Sequence, residues 1–334
     1  MKLYGKKLAL EKIGQFTASG RIPHALLITG ADGAGKRTLA DYIAMLMMCG
    51  QKTAEPCFSC NECMRVKEHI HPDVVYALQE MPLPDKKDSK DAPKRKYSVS
   101  ELRQFLTGCH KVPNDADIRI YIFEQADTMN EHCQNALLKI IEEPLSFNRY
   151  IFLASDKNAI LETIISRVVE VPADLPSAEE CVCALTEQGI PREQASSLAQ
   201  TFGGNIGRCL GAAEGNRETE LLELSEKLAE NICAGREYDC IVAVRALKNR
   251  SELSAVLSNL ADIFGNALVI AAGGKPYGFA PSVSEKASLS YSARKLNSIY
   301  DTILELLRTL DFNPNQQLIS TVCCAKIFEA VEKE

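Results

Sequence analysis

The stretch that decides the fold is His24-Ala-Leu-Leu-Ile-Thr-Gly-Ala-Asp-Gly-Ala-Gly-Lys36. Its first half is a short apolar run that ends in glycine, which is typical of a buried strand leading into a loop. The glycine-rich half is followed by an apolar pattern at helical spacing from Thr38 to Met48. A strand, a glycine-rich loop ending in lysine and a helix are the parts of a P-loop, in which backbone N–H groups and the helix N-terminus face phosphates.

Six positions of this loop could contact a nucleotide, but they do not form a complete metal site. They are Gly30, Gly33, Gly35, Lys36, Arg37 and Thr38. A P-loop normally has Ser or Thr directly after the lysine, where the hydroxyl holds Mg²⁺. Here Arg37 takes that place, and Thr38 comes one residue late, about 100° further round the helix. The loop could therefore hold ATP or ADP, or it could persist only as a structural turn.

A second departure from a working ATPase lies at the end of the strand pattern Ile118–Phe123, which is followed by Glu124-Gln125. P-loop ATPases have Asp at this strand end to support Mg²⁺, and in many of them a Glu follows to polarise the attacking water. Glu124 is one methylene longer than Asp, and the Gln125 amide cannot accept a proton as a carboxylate does. Arg37 and Gln125 are independent defects, and together they predict a chain that does not hydrolyse ATP itself.

The rest of the first half alternates between apolar runs and helical patterns. The runs are Asp73–Leu78, Ile118–Phe123, Arg149–Ser155 and Val168–Val171, and the helical patterns are residues 1–23 with a turn at Ser19-Gly20, Ser98–Cys109 and Asn130–Glu143. With the first strand, this alternation predicts a five-stranded parallel sheet covered on both faces. Residues 81–97 are polar and proline-rich, and we expect them to form a flexible insertion.

The pattern changes after Pro172, where strand patterns stop. Residues 173–212 are interpreted as a small helical unit interrupted at Gly203-Gly204, and residues 213–334 as a succession of helices with a turn around Gly273–Pro276. The chain is therefore expected to contain an α/β domain at 1–172, a helical unit at 173–212 and an all-α domain at 213–334.

Composition restricts the class of protein. The 334 residues are 46% hydrophobic and 25% charged, which is ordinary for a soluble globular protein. The sequence has no run of 18 uncharged apolar residues, so no membrane span is expected. No apolar segment follows the first residues, so no signal peptide is expected. Thirteen cysteines in such a chain indicate thiols or metal ligands in a reducing cytoplasm. The net charge of −6 disfavours a chain that holds DNA alone.

A cysteine cluster follows the P-loop helix. Cys57, Cys60 and Cys63 are spaced two residues apart, and Cys49 lies at the end of the helix. Four thiolates at these spacings can form a closed tetrahedral Zn²⁺ site, which predicts a structural rather than a catalytic metal. The alternatives are buried thiols, a redox switch, or His69 or His71 as the fourth ligand in place of Cys49. The other nine cysteines lie mostly in apolar patterns and are expected in the core.

Four segments carry a resemblance to a known family. They are Arg21–Gly30 before the P-loop, the cysteine insertion running into His71-Pro-Asp73, Asn135–Pro144, and Leu161–Arg167. Together they resemble the AAA+ subunits of bacterial clamp loaders, and the resemblance extends over the whole chain. It implies a RecA-like AAA+ domain at 1–172 with a zinc-binding insertion at 49–63, a helical lid at 173–212 and a C-terminal helical collar at 213–334.

Within that family the chain resembles the delta-prime type of DNA polymerase III subunit more than the ATP-hydrolysing tau/gamma type. The tau/gamma type would have Lys-Thr or Lys-Ser where this chain has Lys36-Arg37, Asp-Glu where it has Glu124-Gln125, and a longer C-terminal extension. The family's sensor-2 arginine is displaced by one residue, to Arg208. The family's Ser-Arg-Cys motif becomes Ser166-Arg167-Val168 and keeps its arginine.

The resemblance also implies partners and a role. The collars would assemble five subunits, including tau/gamma and delta types, into an open ring that uses ATP to open the sliding clamp and load it on primed DNA. Arg167 would complete the ATP site of a neighbouring subunit in trans. The resemblance implies no membrane partner.

Other interpretations remain open. Arg167 could be an ordinary surface arginine, Lys94-Arg-Lys96 could contact DNA or be a solvated end of the insertion, and Asn313–Leu318 could be a collar element or only a helix cap and turn. At the level of the whole chain, the rivals are an active tau/gamma-type ATPase and a stand-alone zinc-containing nucleic-acid-binding protein. Arg37 and Gln125 argue against an active ATPase. The net negative charge and the absence of Trp argue against a stand-alone nucleic-acid-binding protein.

Overall fold

Five short apolar strands build the sheet of the N-terminal half. In this computed structural model they are β1 (Ala25–Thr29), β2 (Val74–Tyr76), β3 (Arg119–Phe123), β4 (Asn148–Ala154) and β5 (Val169–Pro172). Their order across the sheet is β2-β3-β4-β1-β5, and every neighbouring pair is parallel. Leu27 in the middle of β1 faces Phe152 of β4 on one side and Glu170 of β5 on the other. The predicted five-stranded parallel sheet is confirmed.

The structure describes residues 2–18, 22–51, 53–81, 97–213, 217–275, 279–310 and 316–332. The chain divides into two units, Met1–Glu180 and Cys181–Glu334. The prediction of a boundary at 172 and of a separate lid at 173–212 and collar at 213–334 stays a prediction. The predicted turn at Ser19-Gly20, residues 82–96 of the predicted insertion with Lys94-Arg-Lys96, Pro276 and Asn313–Asn315 lie outside the described residues.

Helices cover the sheet of the first unit. They are α1 (Lys7–Ala18), α2 (Lys36–Met48), α3 (Asn61–Lys67), α4 (Ala77–Glu80), α5 (Val99–Gly108), α6 (Glu131–Glu142) and α7 (Glu162–Ile165), with 3₁₀ turns at Ala126–Thr128 and Lys157–Ala159. Helices α5 and α6 begin at side-chain caps, because Ser98 accepts the N–H of Glu101 and Asn130 accepts the N–H of Cys133. Helix α1 ends at Ala18, directly before the turn predicted at Ser19-Gly20.

Alternate residues of the strands belong to two separate cores, one on each face of the sheet. Leu26 and Ile28 of β1 pack with α2 on one face, and Leu27 packs with residues of β3, β4 and α6 on the other. On the second face, Phe123 and Phe152 stack across β3 and β4 with their ring centroids 5.0 Å apart. Burial on both faces explains the continuous apolar runs of β1 and of most of β3 and β4, whereas the edge strand β5 carries the exposed Val169 and the polar Glu170.

The second unit is helical throughout its described residues. After α8 (Ala178–Glu187), which crosses the boundary, it contains α9 (Arg192–Thr201), α10 (Ile206–Ala213), α11 (Arg217–Cys233), α12 (Glu237–Arg245), α13 (Arg250–Ala271), α14 (Pro281–Ser290), α15 (Ala293–Leu310) and α16 (Gln316–Glu332). Helix α13 is long and apolar enough to cross a membrane by length and composition alone, but over half of its apolar window is buried inside the structure. Core helices of soluble proteins pass the same test, so this is weak support for a span.

Candidate functional site

The P-loop lies at the edge of the sheet where β1 ends. Gly33 and Gly35 both have φ of 81°, the left-handed region in which a side chain would be strained, so the tight loop depends on glycine there. The ammonium of Lys36 lies inside the loop. Its Nζ donates to the carbonyl oxygens of Gly30 at 2.6 Å and Ala31 at 3.1 Å. The loop carbonyls thus hold the lysine that would otherwise reach toward phosphates.

Two further residues that sequence analysis missed complete the contacts of Lys36. Its Nζ lies 2.7 Å from Ser155 Oγ and 3.3 Å from Asp32 Oδ1, and the Ser155 hydroxyl donates to Asp32 at 2.5 Å. Asp127 accepts the backbone N–H of Ser155 at 2.9 Å. Ser155 directly follows β4, and β4 lies beside β1. Because parallel strands end at the same edge, the first polar residue after β4 could have been placed at the P-loop once the strand order was known.

Arg37 and Glu124, two of the residues that differ from a working ATPase sequence, are partners in the structure. Arg37 Nη1 lies 2.9 Å from Glu124 Oε1. The guanidinium carbon of Arg37 also lies 4.7 Å from the centroid of the Tyr76 ring, within cation–π range. Thr38 is exposed, and Gln125 has φ of 52° as it begins the 3₁₀ turn after β3. The guanidinium therefore bridges the P-loop helix and the carboxyl end of β3.

A chain of polar contacts continues behind Arg37. The Tyr76 hydroxyl donates to Asp41 Oδ1 at 2.6 Å and accepts from His69 Nδ1 at 2.8 Å. Burial raises the pKa of Asp41, and the hydrogen bond from Tyr76 together with the charges of His69 and Arg37 opposes that rise. Burial likewise raises the pKa of Glu124, against the attraction of Arg37. Ionisation of Asp41 and Glu124 is therefore unfavourable unless a cation lies beside them.

The four predicted cysteine ligands come together at the end of α2. The Sγ atoms of Cys49, Cys57, Cys60 and Cys63 all lie within 4.8 Å of one another, and Cys57 and Cys63 are 3.9 Å apart. Tetrahedral zinc with Zn–S bonds of about 2.3 Å requires sulfurs roughly 3.8 Å apart, so the donor set fits the ion. His71 instead contacts Glu62 through Nε2 at 2.7 Å.

Backbone N–H groups stabilise the thiolate forms of two of these cysteines, Cys57 and Cys60. The N–H of Cys60 donates to Cys57 Sγ at 3.3 Å, and the N–H of Cys63 donates to Cys60 Sγ at 3.5 Å. The backbone N–H groups of Ser59 and Cys60 lower the pKa of Cys57 to about 6. Burial raises the pKa of Cys63, which is the most enclosed of the three. A cation would therefore be needed to keep Cys63 ionised beside Cys57 and Cys60.

Arg167 lies outside this region, between α7 and β5. Its Nε is 2.9 Å from Glu142 Oε1, and its Nη1 donates to the carbonyl oxygen of Thr163 at 2.9 Å and to Ser166 Oγ at 3.1 Å. The side chain is nevertheless 41% exposed. Glu142 belongs to the segment Asn135–Pro144 that carries the family resemblance, and no local sequence pattern pairs it with Arg167.

The sheet register places Arg167 far from this chain's own loop. Val169 of β5 pairs with Leu26 near the start of β1, so Arg167 lies at the edge where the strands begin. The P-loop follows Thr29 at the edge where β1 ends. The structure therefore does not bring Arg167 together with Lys36 and Arg37.

The displaced arginine of the second unit is held by its neighbours. Arg208 Nη1 lies 3.0 Å from Asp262 Oδ2, Nη2 donates to Asn259 Oδ1 at 2.5 Å, and the guanidinium lies 5.3 Å from the centre of the Phe202 ring. Asp262 and Asn259 belong to α13. These contacts make Arg208 a packing residue within the second unit.

The chain is similar to several known proteins. The family model described as "DNA polymerase III, delta subunit" matches residues 5–174, just over half of the chain. Subunit delta' of DNA polymerase III from Bacillus subtilis is 31% identical over 179 residues, which cover 54% of this chain and 50% of that protein. Subunit gamma from Buchnera aphidicola of Schizaphis graminum is 29% identical over 180 residues, covering 54% of this chain and 46% of that protein.

The aligned part thus spans about half the length of these curated relatives. Among solved structures, a gamma-subunit-related protein of Thermotoga maritima superimposes with a TM-score of 0.44 at 14% identity, covering 97% of this chain and 100% of that one. With the P-loop, the cysteine insertion and the sheet order described above, the family match leads to one conclusion. This chain belongs to the family of DNA polymerase III delta subunits.

Proposed function

We propose that this chain is a clamp-loader subunit of the delta-prime type in a bacterial DNA polymerase III holoenzyme. It does not hydrolyse ATP, and it supplies Arg167 to an ATP site on a neighbouring tau/gamma-type subunit. Its ring also includes a delta-type subunit and loads the sliding clamp on primer–template DNA in the cytoplasm. The family match and the likeness to delta' and gamma subunits support the clamp-loader assignment.

The contacts of its own P-loop support the absence of hydrolysis. Phosphoryl transfer in P-loop enzymes needs Mg²⁺ held by a Ser or Thr hydroxyl and a residue that orients the attacking water. Arg37 replaces the hydroxyl and pairs with Glu124 at 2.9 Å, and Gln125 has an amide in place of a carboxylate. ATP or ADP could still contact the loop amides, but the groups that would activate it are missing.

The observation that carries the trans role is the position of Arg167. It is exposed, and it lies at the opposite edge of the sheet from this chain's own P-loop. Negative charge spreads over the γ-phosphate oxygens in the transition state, and an arginine delivered from another subunit can be worth about 10³–10⁵ in rate. Arginine suits the task because its charge is permanent and its donors are forked. The Glu142 contact through Nε holds the side chain while leaving part of the guanidinium accessible.

We also propose that the four cysteines hold one structural Zn²⁺. Their spacing leaves no ligand position for substrate, and closed four-thiolate sites contribute to folding rather than to chemistry. The ion would fix the segment between α2 and α3 beside the P-loop helix.

The test of the trans role is a reconstituted ring that contains Arg167→Ala. The ring should assemble, while hydrolysis at the neighbouring site falls by about 10³ and clamp loading falls with it. Arg167→Lys should rescue poorly, because an ammonium cannot make a bidentate contact. Arg192→Ala, which removes another exposed arginine, is the matched control and should leave loading unchanged. Loading at the wild-type rate by the Arg167→Ala ring would make Arg167 an ordinary surface residue.

An ATPase assay on the isolated chain distinguishes this proposal from the rival interpretation, an active ATPase. Turnover should stay far below the roughly 1 s⁻¹ of working enzymes. Turnover at that level, abolished by Lys36→Ala, would instead establish an active tau/gamma-type ATPase.

A further inference from the structure

Two carboxylates of low exposure, Glu124 and Asp41, lie near Arg37. Glu124 lies at the carboxyl end of β3, where P-loop enzymes carry an acidic metal ligand. Asp41 lies one helical turn after Arg37 on α2 and is 8% exposed. Both have raised pKa values because burial disfavours their ionised forms, and in both cases the Arg37 charge opposes the rise. Glu124 contacts the Arg37 guanidinium directly at 2.9 Å, and Asp41 is joined to it through Tyr76, whose hydroxyl donates to Asp41 and whose ring lies against the guanidinium.

The residues present do not fit Mg²⁺. Mg²⁺ prefers six oxygen ligands in near-octahedral geometry at about 2.1 Å. The residue after Lys36 offers five N–H donors and no acceptor. One of those donors already contacts Glu124 at 2.9 Å, and the guanidinium lies against the face of Tyr76. A divalent ion at the strand end would have to displace a cation that is covalently part of the chain.

The surroundings hold Arg37 in this position. Tyr76 supplies the ring beneath the guanidinium, and its hydroxyl is fixed by Asp41 at 2.6 Å and His69 at 2.8 Å. His69 has φ of 56°, a left-handed conformation that it keeps while contacting Tyr76. The Arg37 guanidinium is thus supported from one side by an ordered aromatic ring and bound from another by Glu124.

We propose that Arg37 is a built-in cation that replaces the divalent metal of this P-loop, and that its removal uncovers a two-carboxylate site, Glu124 and Asp41, able to bind a divalent ion. This inference rests on the non-hydrolysing part of the proposed function and is independent of Arg167. A cation attached to the chain cannot dissociate, so the link between α2 and β3 persists whether or not Mg²⁺ and nucleotide are present.

The test uses Mn²⁺ as a paramagnetic substitute for Mg²⁺, with free Mn²⁺ followed by electron paramagnetic resonance in the zinc-loaded full chain. The wild-type chain should bind no Mn²⁺ at this site. Arg37→Ser should bind Mn²⁺ at least about tenfold more tightly than wild type, because it releases the carboxylate oxygens and adds the hydroxyl that a P-loop places on Mg²⁺; Arg37→Gln, which adds no hydroxyl, should also show a gain. Adding Glu124→Gln to that variant should abolish the gain. Arg37→Lys, which keeps a cation, should behave as wild type.

Arg65→Ser is the matched control, since Arg65 also lies between two carboxylates, Asp115 at 2.8 Å and Glu62 at 3.7 Å. It should gain no comparable affinity. If Arg37→Ser fails to fold, Arg37→Gln takes its place, and the wild-type titration decides independently. Three results would each overturn the proposal. They are tight Mn²⁺ binding by the wild-type chain, no gain in Mn²⁺ affinity in Arg37→Ser or Arg37→Gln, and an equal gain in Arg65→Ser. None of these outcomes depends on the ring assay of Arg167.

Discussion

Asp73 is a fully buried carboxylate that joins the start of β2 to the loop before β3. Its two oxygens accept the backbone N–H groups of Asn114 at 2.7 Å, Asp115 at 2.8 Å and Ala116 at 3.1 Å. Arg119 Nη2 lies 3.2 Å away. Burial alone would raise the pKa of Asp73, but the three N–H donors and Arg119 outweigh it and hold the pKa below its usual value. The ionised form is therefore part of the folded structure.

Asp73→Asn should destabilise the chain by about 3 kcal/mol, because it leaves the largely buried Arg119 without its charge partner and removes an acceptor. The folded-state pKa of Asp73 is lower than the unfolded-state pKa. Its stabilisation is therefore complete above the unfolded value of about 3.9 and is lost as the pH falls through the folded value. Urea unfolding at pH 7 and in acid measures the free energy of unfolding. The difference in that free energy between wild type and Asp73→Asn should be smaller in acid than at pH 7.

Asp115→Asn is the control for that experiment. Its carboxylate is half exposed and contacts Arg65 at 2.8 Å on the surface. Exposed pairs contribute about 0–1 kcal/mol, so this variant should remain close to wild type. A loss as large as that of Asp73→Asn would mean that the loop, and not the buried carboxylate, accounts for the effect.

Single positions were predictable from sequence where a motif fixes the chemistry, and not where a partner lies far along the chain. Lys36, Arg37 and the three cysteines Cys57, Cys60 and Cys63 follow from spacing, whereas spacing left Cys49, His69 and His71 as candidates for the fourth ligand. The contact of Arg37 with Glu124 joins residues from different elements and depends on which strand lies beside which. The same is true of Ser155 and Asp32, because no local pattern carries information about strand order.

At the scale of elements, the cysteine segment between α2 and α3 makes a direct prediction. The purified, reduced chain should contain about one zinc per molecule. Cys60→Ser should lose the metal and unfold the segment locally while leaving the P-loop largely unchanged. Metal analysis and hydrogen exchange measure the two effects. Cys183→Ser, which removes an exposed thiol, is the control and should keep the metal. Absence of zinc under reducing conditions would leave only buried thiols or a redox pair.

Element boundaries were predicted well where caps and breakers define them. Helices expected at Ser98–Cys109 and Asn130–Glu143 occur at Val99–Gly108 and Glu131–Glu142, because Ser98 and Asn130 cap them. The apolar run Asp73–Leu78 was less informative. It supplies three residues to β2 and then turns into α4, since apolar residues satisfy a buried helix and a buried strand equally.

At the scale of the whole molecule, charge sets an expectation for DNA. With a net charge of −6 and a pI near 5.6, the isolated chain should bind primed DNA no more tightly than about 10 µM at physiological salt. Fluorescence anisotropy over a range of salt concentrations measures this. Submicromolar binding with a steep salt dependence would support a stand-alone zinc-containing nucleic-acid-binding protein instead. In the proposed ring, contacts with DNA come from the assembly as a whole.

The strand order has a consequence for the newly made chain. β1 is synthesised early, but both of its neighbours, β4 and β5, begin only at Asn148 and Val169. Until the ribosome has delivered those residues, Leu26, Leu27 and Ile28 have no neighbouring strand to pair with. The pairing of β1 with β4 and β5 must then close a long loop of chain. The cysteine segment at 49–63 closes over a short distance and needs no strand. We therefore expect metal capture to precede sheet formation during synthesis, with the nascent first unit exposed to chaperones and proteases in between.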